Sequence, residues 1–388
     1  MAANSSRPAV IYQSVFYNLS GYASESRSLV KALADLEVPV KIWHVGPASP
    51  EDLPPEERAR LKELEQTPVD PAEAVLVVAQ PPVAVPRPPG FPCAVLRTMF
   101  ETGRIKPEWV VHCDCFDEVW VPSTHNREAF IASGLPAEKV RVLRGGIDTD
   151  LFRPGVAPLP LARRRGFAFL SVFDWHGRKG WDLLLTAYCQ EFHPDEDVTL
   201  YLKVGQIAQQ TNVLGELHYV LRQVAGWKRA TPDVVVLDQN LPDAEMPRLY
   251  AAVDAFVLPS RGEGYGRPYL EAMACGLPVI GTAWGGQTDF LTEVTGYPLR
   301  ITGLEPVSDY EPREICRGLS WAAPDVGALR RLMRHVFTHR GEARARGEAA
   351  RRAVVEGWDN RVIAADMTRE IERVWRERRG GRGRLAAE

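Results

Sequence analysis

The alternation of short apolar runs with helix-forming segments is the feature that most constrains how this 388-residue chain folds. Most runs are apolar at nearly every position rather than at every second one. Strands of that kind are buried on both faces, as in parallel sheets that helices cover on both sides. The runs are AVIYQSVF, VPVKIW, AVLVVA, CAVLRTMF, EVWVPS and VRVLRGG, followed by FAFLSVF, VTLYLKV, DVVVLD, DAFVLP and LPVIGT.

Chain length and one linker-like segment divide this alternation into two domains. A chain of 388 residues exceeds what one hydrophobic core usually accommodates. Arg153–Pro160 is rich in proline, which is typical of an exposed linker. We therefore predict two doubly wound α/β domains, 1–155 and 156–358. A helix at about 360–378 carries an apolar stripe that needs covering, and 379–388 is predicted to be a mobile basic tail.

Charge and hydropathy exclude several classes of protein. The formal net charge is −3, so no overall basicity indicates a nucleic-acid partner. No apolar run approaches the ~18–20 residues that a membrane-spanning helix needs, and the N-terminus has no apolar signal core. We predict a cytoplasmic location, and the basic tail allows a weak peripheral contact with a membrane. The HCDC cluster at 112–115 lacks a second ligand pair, so we predict no metal site.

Two glycine-containing turns between a strand and a helix are candidates for anion binding. Parallel α/β domains bind ligands at the carboxyl ends of their strands, where helix N-termini present free amide groups. The first turn contains Gly21, and the second contains Arg178 and Lys179 before a helix that begins at about Gly180. Two cations at a helix N-terminus repel the helix dipole. We therefore expect an anionic ligand to lie against Arg178 and Lys179.

A third turn, PSRGEGYGRPYLEAMACGLP, carries two glutamates around a glycine-rich loop. Gly262, Gly264 and Gly266 allow the backbone to approach a ligand closely. If Pro268 begins the helix, Glu271 is its fourth residue, and its carboxylate can accept hydrogen bonds from a vicinal diol such as a ribose. Glu263 lies on the loop, on the other side of the expected phosphate position.

The segments around these turns resemble a known family. EGYGRPYLE resembles the E-x7-E motif of family 4 retaining glycosyltransferases, and EAMACGLPVIGTAWGGQTDFL is similar to the run that follows it. RKGWDLLLTAY resembles the family's Lys-Gly segment, which binds the donor phosphates. The resemblance implies the GT-B fold, in which two Rossmann-like domains face each other across a cleft. It also implies that the C-terminal helix packs on the N-terminal, acceptor-side domain.

Roles for individual residues follow from this resemblance. Lys179 would bind the donor diphosphate, Glu271 would hold the nucleotide ribose, and Glu263 would lie near the transferred sugar. Further contacts to the donor are implied for Gly264, Tyr265, Gly266, Gly285, Gly286 and Gly21.

The sequence departs from the family pattern at two places. Many relatives have an arginine six residues before the lysine, where this chain has Phe173; Arg178 is the alternative second cation. Many also have a histidine after a strand of the N-terminal domain, and Gln80 and Glu101 stand at comparable places here. We predict that Glu101 contacts the acceptor or the donor sugar.

The expected activity is retaining transfer of a sugar from a nucleoside-diphosphate sugar to an unidentified glycan, lipid or small molecule. The leaving diphosphate gains negative charge, which fixed cations and amide groups stabilise. The resemblance implies front-face transfer without a metal or other cofactor. Two alternatives stay open: a nucleotide-sugar epimerase or phosphorylase of the same fold, and a non-catalytic protein that binds nucleotide sugars.

Overall fold

The computed structural model describes residues 7–83, 86–205, 213–225, 230–239, 241–307 and 314–385. Its strands are β1 Ala9–Ser14, β2 Val40–His44, β3 Ala74–Ala79, β4 Cys93–Arg97, β5 Glu118–Val121, β6 Val140–Val142, β7 Phe167–Phe173, β8 Val198–Val204, β9 Asp233–Leu237, β10 Ala255–Leu258, β11 Val279–Thr282, β12 Tyr297–Leu299, β13 Ile301–Pro306 and β14 Ser320–Pro324. Its α-helices are α1 Gly21–Asp35, α2 Pro55–Gln66, α3 Pro107–Asp114, α4 Thr124–Ala132, α5 Trp181–Glu191, α6 Val213–Ala225, α7 Met246–Ala251, α8 Arg267–Ala274, α9 Val326–Thr338, α10 Arg340–Gly357 and α11 Asn360–Leu385.

Residue contacts divide the chain into two compact units. The first contains residues 1–100, 105–148 and 357–388, and the second contains 101–104 and 149–356. The change of unit at 148/149 lies close to the proline-rich linker expected from the sequence.

The first unit is built on a six-stranded parallel sheet in the order β2-β1-β3-β4-β5-β6. Its core includes β1 and β3, the apolar face of α1, and one side of α11. The buried apolar residues of α11 recur at helical spacing and are Ile363, Ala364, Met367, Ile371, Val374 and Trp375. The helix continues through Leu385, beyond the end expected at 378, and residues 386–388 lie outside the described residues.

The second unit contains another six-stranded parallel sheet, in the order β12-β11-β10-β7-β8-β9. After β7 the chain adds β8 and β9 on one side of that strand, and it then returns to place β10 on the other side of β7. This reversal makes the carboxyl ends of β7 and β10 the topological switch point of the sheet, where α/β domains bind ligands. The prediction of two parallel, Rossmann-like sheets is confirmed.

The eleven apolar runs that the sequence indicated all contain strands, from β1 to β11. Three further strands were not predicted. β12, a strand of three residues, pairs with β11 at one edge of the second sheet, and β13 pairs with β14 in an antiparallel hairpin. Residues 302–304 of β13 are exposed, so this strand lacks the continuous apolar pattern of a buried one.

No helix within the described ranges is long and apolar enough to cross a membrane.

Candidate functional site

Two loops meet at the switch point of the second sheet, one after β7 and one after β10. The first contains a 3-10 turn, Gly177–Lys179, and ends at Gly180, whose backbone is left-handed (φ 66°). A β-carbon at Gly180 would lie 2.1 Å from the carbonyl oxygen of Pro259 in the second loop, so this approach requires glycine. The amide of Arg261 also donates to the carbonyl of Arg178 at 2.7 Å. The two loops are therefore in direct backbone contact.

Two cations and two carboxylates form a buried cluster between these loops. Lys179 Nζ lies 2.7 Å from Oε1 and 2.9 Å from Oε2 of Glu263. The guanidinium of Arg178 lies 3.3 Å from Glu263 and 3.2 Å from Glu101, and it donates to the carbonyl of Gly262. Arg178, Lys179 and Glu263 are each less than a tenth exposed. Protein carboxylates thus neutralise the two cations for which the sequence indicated an external anion.

The pKa shifts of the cluster follow from burial and from its opposite charges. Burial by itself raises the pKa of Glu263, but the nearby charges of Lys179 and Arg178 outweigh burial and lower that pKa to about 2. Burial lowers the pKa of Lys179, and the Glu263 carboxylate opposes that shift. Glu263 is therefore ionised at neutral pH.

Glu271 lies on α8, one turn beyond the second loop. The helix begins at Arg267, one residue earlier than expected, which makes Glu271 its fifth residue. The hydroxyl of Tyr250 donates to Oε2 of Glu271 at 2.9 Å, and Arg267 Nε lies 3.1 Å from Oε1. Glu271 is buried, and this burial raises its pKa to about 6 although Arg267 and Tyr250 act in the opposite direction. Its charge state therefore changes close to neutral pH.

This shift predicts a pH dependence of stability that belongs to Glu271. The folded-state pKa is raised from an ordinary value of 4.5 to about 6, so the folded protein holds the proton more tightly than the unfolded chain. The stabilisation is fully present below about pH 4.5 and is lost as the pH rises through about 6. Its size is about 2 kcal/mol, taking 1.36 kcal/mol for each pKa unit.

Urea unfolding of the wild type and of Glu271→Gln at several pH values measures this contribution. We expect the difference between their free energies of unfolding to change by about 1.5 kcal/mol between pH 4.5 and pH 6.5, in favour of the variant at the higher pH. A constant difference across that range would show that Glu271 does not titrate as its burial requires.

Glycines in a later turn support the loop that carries Glu263. The amide of Gly286 donates to the carbonyl of Glu263 at 2.8 Å. A β-carbon at Gly286 would lie 2.1 Å from the carbonyl oxygen of Gly264, and one at Gly285 would lie 3.0 Å from that of Glu263. Tyr265 is buried with its ring against Phe290. Gly285 and Gly286 thus lie directly beneath the loop.

The other candidates have different surroundings. Gly266 is the N-terminal cap of α8. Gly21 is in the first unit, where it begins α1, and its backbone is not left-handed. Gln80 is also in the first unit, 3.4 Å from Gln13. Phe173, which stands where many proteins of the resembled family have an arginine, packs beside Trp175.

Metal-binding side chains do not cluster in the described part of the chain. No group of three or more histidine, cysteine, aspartate or glutamate residues suited to a metal ion occurs there. Cys113 is buried within α3, whereas Cys115 is exposed just after that helix.

Sequence reasoning missed three side chains that hold the site. Tyr250 and Arg267 contact Glu271, and Arg261 ties the two loops together. Arg267 lies four residues before Glu271, a spacing that places the two on one helix face and could have predicted their pairing. Tyr250 and Arg261 carried no such signal, because their partners are brought close only by the order of strands in the sheet.

Comparison with known proteins finds a similarity that lies mainly within the second unit. Residues 164–304 match the family model described as glycosyl transferases group 1. D-inositol 3-phosphate glycosyltransferase 1 of Catenulispora acidiphila is 32% identical over 182 residues, which are 45% of this chain and 42% of that protein. Mannosylfructose-phosphate synthase of Agrobacterium fabrum is 28% identical over 192 residues, 47% of this chain and 41% of that protein. The chain thus spans less than half the length of each of these two relatives.

Solved structures resemble almost the whole chain. Sucrose-phosphate synthase from Thermosynechococcus elongatus has a TM-score of 0.67 at 18% identity, covering 95% of this chain and 100% of that one. HepE from Anabaena in complex with UDP has a TM-score of 0.65 at 16% identity, covering 93% and 99%. Identities this low show the fold alone. The chain has the GT-B fold of glycosyltransferases, and its residues 164–304 form a region similar to the group 1 glycosyltransferases.

Proposed function

We propose that this protein is a retaining glycosyltransferase that uses a nucleoside-diphosphate sugar as donor. The observation that carries the proposal is the buried cluster of Lys179, Arg178 and Glu263 at the switch point of the second sheet. Cations at that position suit a diphosphate, and a carboxylate beside them suits sugar hydroxyls. The similarity of residues 164–304 to group 1 glycosyltransferases supports the same activity.

Binding of the donor requires an exchange of partners inside the cluster. Glu101 and Glu263 already balance the charges of Arg178 and Lys179. A diphosphate brings at least two further negative charges, which a neutral, buried cluster does not stabilise. We infer that the diphosphate takes over Lys179 and that Glu263 turns its carboxylate to the hydroxyls of the transferred sugar. Before the donor binds, the ion pair with Glu263 keeps Lys179 charged.

The transfer step follows from these positions. The bond between the anomeric carbon and the diphosphate breaks while the acceptor oxygen forms a new bond on the same face of the sugar, so the configuration is retained. Negative charge develops on the departing phosphate oxygen, where Lys179, Arg178 and the amide groups at the N-terminus of α5 stabilise it. We assign no protein side chain as a general base; the proton of the acceptor hydroxyl passes to the departing phosphate oxygen, which lies on the same face of the sugar and gains the negative charge.

Glu271 is proposed to hold the ribose of the nucleotide. Ionised Glu271 accepts hydrogen bonds from two vicinal hydroxyls, while Tyr250 and Arg267 fix the orientation of its carboxylate. The pKa of Glu271 is raised in the free protein, and the ribose binds only its ionised form. Nucleotide binding therefore favours loss of the proton.

A donor and acceptor screen tests the proposal. The protein is incubated with UDP-, GDP- and ADP-sugars and with glycan, lipid and small-molecule acceptors, in the presence and absence of a chelator. We expect one donor to be consumed, a product whose anomeric configuration by NMR equals that of the donor, and an undiminished rate with the chelator.

Each contrary result has a definite meaning. Product of inverted configuration would rule out the retaining mechanism, and loss of activity with the chelator would rule out metal independence. Tight binding of a nucleotide sugar without turnover on any acceptor would favour a non-catalytic binding protein. Glu271→Ala serves as the site control, since we expect it to weaken donor binding about tenfold or more.

A further inference from the structure

Arg261 connects three segments of the second unit through one buried guanidinium. Its NH1 and NH2 donate to the two carboxylate oxygens of Asp182, each at 2.8 Å. NH1 also donates to the carbonyl of Gly177 at 2.6 Å, and Nε donates to Glu305 at 2.8 Å. The side chain is only 13% exposed. One residue thus bridges the turn after β7, the first turn of α5 and the hairpin strand β13.

The backbone of Arg261 adds two further connections. Its amide donates to the carbonyl of Arg178 at 2.7 Å, and its carbonyl accepts from the amide of Ala322 on β14 at 2.8 Å. The turn Gly177–Lys179 is therefore held through two successive carbonyls, both by Arg261. The hairpin β13–β14, which carries no residue of the charged cluster, acts as the fixed support on the other side.

The loop after β10 thus holds both the side chains and the backbone of the turn Gly177–Lys179, called the cation turn below. Glu263 binds the side chains of Arg178 and Lys179, and Arg261, two residues earlier, binds the backbone that carries them. When a diphosphate replaces Glu263 as the partner of Lys179, the backbone of the turn is still held by Arg261, and the Arg178 side chain keeps its bonds to Glu101 and to the carbonyl of Gly262. Stabilisation of a leaving group depends on donors that need no rearrangement during the reaction.

We propose that Arg261 is a positioning residue for transfer: it keeps the cation turn aligned on the leaving diphosphate without touching the donor. This inference rests on the proposed glycosyltransferase function. The role requires arginine, because a planar guanidinium can bind the Asp182 carboxylate with two parallel bonds and still reach Gly177 and Glu305. A lysine offers one point charge and cannot fix the turn in the same way.

The test compares Arg261→Lys with a matched control, Arg164→Lys, at the opposite ends of the strands of the same sheet. Arg164 bonds Asp254 at 3.0 Å and the carbonyl of Ala252 at 3.0 Å, next to the amino ends of β7 and β10. Arg164→Lys therefore loses a similar set of contacts away from the site. Asp182→Asn, which keeps the shape of the partner but removes its charge, is a second variant should Arg261→Lys fold poorly.

We expect Arg261→Lys to lower kcat about tenfold to hundredfold, the size of effect produced by a small misplacement of catalytic groups. The dissociation constant of the nucleoside diphosphate, measured by titration calorimetry, should change less than threefold, and Arg164→Lys should keep full turnover. Asp182→Asn should show the same separation of kcat from nucleotide affinity. A residue that only stabilises the fold would lower the melting temperature without this separation.

The double variant with Lys179→Arg tests whether Arg261 acts through the cation turn. If it does, Arg261→Lys should lower kcat much less in the Lys179→Arg background than in the wild type, because coupled residues have non-additive effects. Additive losses, or a kcat for Arg261→Lys and Asp182→Asn within twofold of that for Arg164→Lys, would overturn the inference. Absence of turnover in the wild-type protein with every donor would instead refute the proposed function itself.

Discussion

Replacing Lys179 by alanine should lower the turnover of sugar transfer by about 10²- to 10³-fold, the effect typical of losing one fixed donor that stabilises developing negative charge. Lys179 Nζ lies 2.7 Å from Glu263 in a buried site, so its charge is held in place before the donor binds. The variant retains Arg178, 3.3 Å from Glu263, which keeps that carboxylate paired and supports folding. Single-turnover kinetics at saturating donor measure the effect on the chemical step.

Lys139→Ala is the control for the loss of a lysine. Lys139 also forms an ion pair, with Asp114 at 2.7 Å, but it belongs to the first unit and lies outside the candidate site. We expect turnover of this variant to equal that of the wild type. A Lys179→Ala protein that retains at least a third of wild-type turnover would show that the leaving group is stabilised elsewhere.

The strands around Lys179 could be predicted because a short run of apolar residues is enough to indicate a buried strand. β7 is apolar throughout and its predicted bounds, Phe167–Phe173, are those observed. β8 was predicted equally well, since its seven residues are all buried. The hairpin β13–β14 was missed because residues 302–304 are exposed, so neither a continuous apolar run nor a clean alternation marks its first strand.

Partners in the site were harder to predict than the residues themselves. Glycines and charged residues indicated the turn with Lys179 and the loop with Glu263, but no spacing relates two residues 84 positions apart. Their contact depends on β10 lying beside β7, which is a property of the strand order. Because the strand order was unknown from the sequence, an external anion was expected beside Arg178 and Lys179. The structure instead places the carboxylates of Glu263 and Glu101 there.

Replacing Glu263 by glutamine should separate the binding of the diphosphate from the transfer of the sugar. The variant removes the carboxylate that Lys179 must leave, so we expect a nucleoside diphosphate without sugar to bind about tenfold more tightly. Turnover should fall about tenfold or more, because glutamine has lost the charge that strengthens bonds to sugar hydroxyls. Titration calorimetry and steady-state kinetics give the two quantities.

The same change should destabilise the unliganded protein, because it leaves two buried cations short of a counter-ion. Breaking a buried ion pair by removing one partner costs about 3–5 kcal/mol, and a bound nucleoside diphosphate should restore much of this loss. Glu191→Gln is the matched control: Glu191 accepts from Arg334 at 2.9 Å and from Arg330 at 3.3 Å, at the other end of α5. It should leave nucleotide affinity and turnover unchanged. If Glu263→Gln instead weakens binding of the diphosphate, Glu263 contacts the nucleotide directly and the exchange of partners does not occur.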